Sequence, residues 1–103
     1  MEFNRKKMKV VKTGIKDKEE IKKILEEEGY SNIFEWCDGA GSFYDWHIHP
    51  YQEVRWVYEG EVVMGTEEGE VVLKEGDRLD LPAGTRHWAK TTKGVCYICG
   101  SKH

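Results

Sequence analysis

The stretch WHIHPYQEVRWVYEG, residues 46–60, decides how this chain reads. It places two histidines one residue apart, then Glu53 and Arg55, inside a run otherwise rich in tryptophan, tyrosine and valine. In an extended strand successive side chains point to opposite faces, so residues two apart share a face. His47 and His49 therefore fall together, with Phe43 and Asp45, while Trp46 and Ile48 point the other way. Pro50 breaks the ladder, and on the next strand Glu53 and Arg55 share a face opposite Val54, Trp56 and Tyr58. Polar side chains turned into a barrel cost several kcal/mol each, roughly, unless they are paired or bound to an ion. The economical explanation of this stretch is that its polar face is built around a metal ion.

The surrounding sequence supplies the context for such a face. Short runs rich in Val, Trp, Tyr and Ile are expected as strands at 33–37, 42–49, 53–58, 61–66, 69–74, 78–81, 86–91 and 95–100. Turns are expected at Asp38-Gly39, Glu59-Gly60, Glu68-Gly69, Glu75-Gly76, Pro82-Ala83-Gly84 and Lys93-Gly94. Ahead of them, Lys7–Thr13 reads as a short strand. Asp17 followed by Glu20 has capping-box form, Ile21, Ile24 and Leu25 recur at helical spacing, and Gly29 supplies the stop. One short amphipathic helix over Lys18–Glu28 follows from this. Many short strands with a helix only at the front predict an all-β antiparallel barrel or sandwich. No linker, repeat or low-complexity segment interrupts the chain, which reads as one domain over 1–103, with the strand and helix in 1–30 and the barrel in 31–101.

Composition narrows the function. The chain has 103 residues, 34% of them charged, with a formal net charge of −3. The one basic run, Arg5-Lys6-Lys7 with Lys9 and Lys12, lacks interleaved aromatics or a recognition-helix pattern, so no nucleic-acid partner is expected. No apolar stretch approaches the ~18 residues of a membrane span, and MEFNRKKMKV has no apolar signal-peptide core. The default location is the cytoplasm. Three cysteines, Cys37, Cys96 and Cys99, argue against a disulfide scaffold. Cys96 and Cys99 are formally a CxxC, but VCYIC reads as a strand, whose residues three apart face opposite ways. Cys96 and Cys99 read as buried free thiols rather than a redox or zinc pair.

A further ligand comes from PAGTRHW, residues 82–88, where a tight turn leads into a strand that begins at His87. His47, His49, Glu53 and His87 would then make a three-histidine, one-carboxylate site. Imidazole with carboxylate suits Fe, Mn, Ni, Zn or Cu better than Mg or Ca, and such a set leaves positions open for small-molecule ligands. Asp77 and Asp80 read as hydrogen-bond partners of the turns.

Gly41, His47, His49, Glu53 and Gly60 match the first cupin motif (G, five residues, HxH, three or four residues, E, six residues, G). Gly76, Pro82, Gly84 and His87 match the second, which departs only at its last position, where Thr91 stands for asparagine. The sequence thus resembles the cupins. That resemblance implies a jelly-roll barrel holding one divalent transition metal, Fe, Mn or Ni ahead of Zn or Cu. GYSNI, HIHPYQEVRWVYEG and EGDRLDLPAGTRH are similar to acireductone dioxygenases, although the chain is much shorter than those enzymes. In that family the arginine of an ExR element is thought to contact substrate, which implies such a role for Arg55; its alternative is an internal ion pair with Glu53 or Asp45. Asp45, Tyr44 and Tyr51 are candidate proton carriers. The resemblance implies a dioxygenase-like metalloenzyme acting on a small oxygen-rich molecule. An isomerase or decarboxylase of a sugar or organic acid, or a non-catalytic ligand-binding cupin, is the alternative. The apolar faces at Trp46, Ile48, Val54, Trp56 and Tyr58 are expected to be covered in part by the helix and in part by a second copy of the chain, as a homodimer.

Overall fold

The computed structural model describes residues 8–103. The basic run Arg5-Lys6-Lys7 lies outside the described residues, as does the start of the expected first strand. Among the described residues the chain forms β1 (Lys9–Lys12), α1 (Lys18–Glu27), β2 (Ser31–Asp38), β3 (Phe43–His47), β4 (Gln52–Gly60), β5 (Val62–Thr66), β6 (Gly69–Leu73), β7 (Asp77–Leu81), β8 (His87–Lys90) and β9 (Val95–Lys102). The strands make a five-stranded sheet, in the order β1-β7-β4-β9-β2, and a four-stranded sheet, β3-β8-β5-β6, with every pairing antiparallel. This is the antiparallel all-β sandwich that the strand spacing predicts, in the jelly-roll form that the cupin resemblance implies. No helix among the described residues is long and apolar enough to cross a membrane.

Two hydrophobic clusters lie on either side of the larger sheet. Val57, Val62, Met64, Leu73, Leu79, Leu81, Ala89, Val95, Tyr97 and Cys99 fill the space between the sheets. Ile21 and Leu25 of α1 pack with Tyr30, Val54, Trp56 and Ile98 on the outer side. The alternation along β4 sets this division, since Val54 and Trp56 point to the helix while Val57 points to the inter-sheet core. Asp17 caps α1, its side chain accepting from the Glu20 amide at 3.1 Å. At the other end Gly29 takes φ +94°, a left-handed conformation that costs glycine little. Val54 and Trp56 are therefore covered by the chain's own helix, while Trp46 and Ile48 stay exposed at 39% and 56%.

Arg78 ties these layers together. Its guanidinium donates to both oxygens of Glu28 at 2.8 and 2.9 Å and to Asp80 at 2.9 Å, and it lies over the Trp56 ring at 5.1 Å. Asp80 thus serves an ion pair and the Tyr30 hydroxyl rather than a turn, whereas Asp77 does accept from the Lys74 amide in its turn. Thr91, the residue that departs from the motif, is buried. Its hydroxyl donates to the Glu61 carbonyl at 2.7 Å and accepts from the Gly94 amide at 2.9 Å, so it joins two neighbouring turns.

The cysteines differ from the expectation. Cys37 on β2 and Cys96 on β9 are bonded to each other, with their Cα atoms 4.1 Å apart; Cys99 is free and buried. The two sit directly opposite in the β2–β9 register, and 59 residues separate them in sequence. Pairing between strands so far apart along the chain leaves no local trace. The inference that Cys96 and Cys99 face opposite ways holds, and it is what leaves Cys96 available to Cys37.

Gly60 closes the β4–β5 connection at φ +77°, and a Cβ placed there would come within 2.2 Å of the Gly94 carbonyl oxygen. Gly60→Ala is expected to cost more than the ~1–2 kcal/mol of a left-handed alanine, because backbone, not a flexible side chain, blocks the space. An unchanged urea midpoint for this variant would show that the turn can open.

Candidate metal centre

The site is built from β3, the loop after it, β4 and β8. His47 ends β3 and is the register partner of His87, which begins β8. His49 lies in the following loop, whose position is fixed by the Gly84 amide donating to the His49 carbonyl at 2.9 Å. The Pro82–Gly84 turn thus positions two of the histidines at once. The ring centroids lie 4.1 Å apart for His47 and His87, 5.1 Å for His47 and His49, and 5.5 Å for His49 and His87. One nitrogen from each ring falls in a group whose members are all within 4.8 Å of one another.

For two of the rings, hydrogen bonds indicate which nitrogen that is. His47 Nδ1 lies 2.8 Å from the Asp45 carbonyl and His87 Nδ1 lies 2.9 Å from the Thr85 carbonyl. A carbonyl only accepts, so each Nδ1 carries a proton, and in the neutral ring Nε2 is then the lone-pair nitrogen, the arrangement that orients metal-binding imidazoles. Burial pushes the His87 ring down to about 4, so it is neutral at pH 7. Burial likewise lowers His49, against the opposing pull of Glu53.

Glu53 approaches two of the three histidines from β4. Its Oε1 is 3.4 Å from His49 Nε2, 4.0 Å from His87 Nε2 and 3.6 Å from an Arg55 nitrogen. Glu53 Oε1 and His87 Nε2 are both buried without a hydrogen-bond partner. Such orphaned atoms are costly, and here they point toward each other across a gap. A cation between them would satisfy both. The donor set of imidazoles and a carboxylate suits a divalent transition metal, so the residues present fit the group.

The three histidines open into a cavity of about 300 Å³. Phe34 and Trp36 of β2 and Tyr44 of β3 form an aromatic wall; Met64, Ala89, Tyr97 and Cys99 form the apolar floor; Arg55 joins the histidines at the polar end. Arg55 donates to Cys99 Sγ at 3.3 Å and lies over the Tyr97 ring at 5.4 Å. Its contact with Glu53 matches the expected internal pair, and Asp45 takes no part. Burial raises the Cys99 thiol to about 11, opposed by Arg55, so it is a neutral thiol at pH 7 and not a nucleophile.

The β3 face differs from strict alternation. Tyr44 is opposite Ala89 and His47 is opposite His87, so one extra residue is accommodated between them as a bulge. Tyr44 therefore enters the cavity, while Phe43, expected beside the histidines, is 59% exposed. The exposed Asp45 carboxylate accepts from the Trp46 amide. Tyr51 stacks on His49 at 5.2 Å. Tyr97 and Asp38 carry no signal in the sequence, yet Asp38 gathers the Tyr44 hydroxyl, the Tyr97 hydroxyl and the Trp36 indole N–H.

Residues 34–98, more than half of the chain, match the cupin domain family. The chain belongs to the cupins. Among curated proteins this cupin is 34% identical over 84 residues to acireductone dioxygenase 4 of Oryza sativa subsp. japonica, covering 67% of this chain and 46% of that protein. It spans about half the length of the curated relatives it matches first. Among solved structures, a DUF861 family protein from Thermotoga maritima aligns over 93% of this cupin and 100% of that chain, with 25% identity and a TM-score of 0.62. The DMSP lyase DddQ from Ruegeria pomeroyi aligns over 69% of this cupin and 37% of that chain, with 23% identity and a TM-score of 0.65, a likeness of fold.

Proposed function

We propose that this cupin is a metal-dependent oxidoreductase of the dioxygenase type, acting on a small oxygen-rich anion such as an enediol or diketone. The observation that carries the reading is the convergence of three imidazoles at the polar end of an otherwise apolar cavity, beside a buried arginine and with Glu53 Oε1, which has no hydrogen-bond partner, close to two of the rings. The partial likeness to acireductone dioxygenases supports the reaction class. His47, His49, Glu53 and His87 would hold one Fe, Mn or Ni ion, which when bound supplies Lewis acidity and open positions for oxygen ligands.

The chain's own residues do the rest. Arg55 is fixed between Cys99, Glu53 and the Tyr97 ring, so its charge is ready to hold an anionic ligand oxygen without further ordering. Phe34, Trp36 and Tyr44 shield that oxygen-rich end from water and accept an apolar portion of the same molecule. Tyr97 serves as floor and not as acid: burial raises its phenol well above the ordinary range, and its hydroxyl is already given to Asp38.

The test is dioxygen consumption by protein loaded with Fe(II), Mn(II) or Ni(II), measured against enediols, diketones and simple sugar acids. Uptake that requires both metal and an enediol is expected. Turnover of a sugar or organic acid without oxygen uptake would replace the reading with an isomerase or decarboxylase; a metal-loaded protein that binds these ligands and turns over none would make it a binding module.

A further inference from the structure

We infer that Cys37 and Cys96 form a reversible thiol–disulfide exchange site that sets how firmly the aromatic wall of the cavity is held. Among the described residues β2 is an edge strand, paired only with β9, and its register with β9 is irregular between Ser31 and Phe34. This weakly held strand carries Phe34 and Trp36, two members of the cavity wall. The disulfide fastens it at Cys37, the residue between Trp36 and Asp38. Asp38 in turn accepts from Tyr97 on β9 at 2.8 Å, from the Trp36 indole at 2.9 Å and from Tyr44 on β3. One covalent bond and three hydrogen bonds thus converge on residues 36–38 and join both sheets at the cavity wall.

The bond is placed for exchange. Cys37 is exposed and the pair lies on the outer face of the sheet, where Cys37 Sγ meets the Tyr58 hydroxyl at 3.8 Å. Cys99, the remaining thiol, is buried on the opposite face beside Arg55, so it does not compete as a partner. The chemical class that acts here is a dithiol. Its thiolate attacks Cys37 Sγ, the Cys37–Cys96 bond breaks, and the Cys96 thiolate leaves and takes a proton. The dithiol's second thiol then releases Cys37 as a thiol. Two electrons and two protons pass to the protein, and the dithiol becomes a disulfide. With the staple gone, this end of β2 is held by non-covalent contacts: the hydrogen bonds of Asp38, the exposed Glu35 pairs with Lys18 and Lys22, and the last ladder pairs.

The experiment compares the intact, oxidised protein with the same protein in dithiothreitol, by iodoacetamide labelling and by backbone hydrogen exchange, both read by peptide mass spectrometry. In the oxidised protein Cys37 and Cys96 are expected to resist labelling. After reduction both label while Cys99 stays protected. Exchange over 34–38 accelerates by about tenfold or more, β4 and β7 do not change, and reoxidation restores the slow pattern. Cys37→Ser should show the fast pattern without reductant and no response to it; if that variant fails to fold, the wild-type comparison decides. Labelling of Cys37 and Cys96 before reduction, unchanged exchange after it, or acceleration throughout the fold would each overturn the inference. None of these readouts depends on metal or turnover, so they stand or fall apart from the proposed activity.

Discussion

Replacing His87 by alanine is expected to abolish stoichiometric metal binding while leaving the fold in place. Removing a group that merely orients a metal ligand typically costs 10–100-fold, roughly, in affinity, and loss of a ligand itself should exceed that. The fold should tolerate the change because the side chain being removed carries an orphaned nitrogen, whose desolvation cost disappears with it. The contrast is measurable without knowing a substrate. Metal present at ~100 times its dissociation constant stabilises a folded protein by about 2.7 kcal/mol, which in a domain of this size raises Tm by about 10–20 °C. Wild-type protein should show that rise with Mn(II) or Ni(II) and about one ion per chain by elemental analysis; His87→Ala should show neither. His47→Ala should behave alike, because both rings meet at the same point. Retention of a full complement of metal by either variant would sink the site.

The second large effect concerns the other face of β4. Trp56 is 1% exposed, donates its indole N–H to the Ile15 carbonyl at 3.0 Å, and lies beneath the Arg78 guanidinium. It packs against Ile21 and Leu25, which anchor α1. Trp56→Ala should therefore cost about 3–5 kcal/mol, a large share of the 5–15 kcal/mol, roughly, that holds a small domain together. Trp56→Phe keeps most of the apolar contact but leaves the Ile15 carbonyl unpaired, at a cost of about 1–3 kcal/mol. Chemical denaturation of both variants checks the order. A loss below ~1 kcal/mol for the alanine variant would mean that α1 is not held by this contact.

Much of the fold was legible because its determinants are local. The Asp17 cap, the Ile21/Leu25 stripe and the Gly29 stop lie within a dozen residues, roughly, and need only helical geometry to be interpreted. The alternation of Glu53, Arg55 and Val57 against Val54 and Trp56 is equally local, so the inward position of Glu53 and Arg55 could be read directly. The placement of His87 beside His47 came from motif spacing. What escaped depends on register between distant strands. The Cys37–Cys96 bond needs β2 and β9 to be aligned. The grouping of Tyr44 and Tyr97 around Asp38 needs three strands from both sheets. The entry of Tyr44 into the cavity needs a bulge that no residue type announces.

That bulge limits what the site can become. A regular strand offers one face to the interior, and Tyr44 and His47, three positions apart, belong to opposite faces of any such strand. The extra residue between them is what allows one short strand to present both an aromatic wall and a metal ligand. Shortening β3 by one residue between these positions would return it to ideal pairing and force a choice between them. The local irregularity, not the ideal geometry around it, therefore couples the aromatic wall of the cavity to a histidine that could hold an ion, and neither can be moved along the sheet without the other.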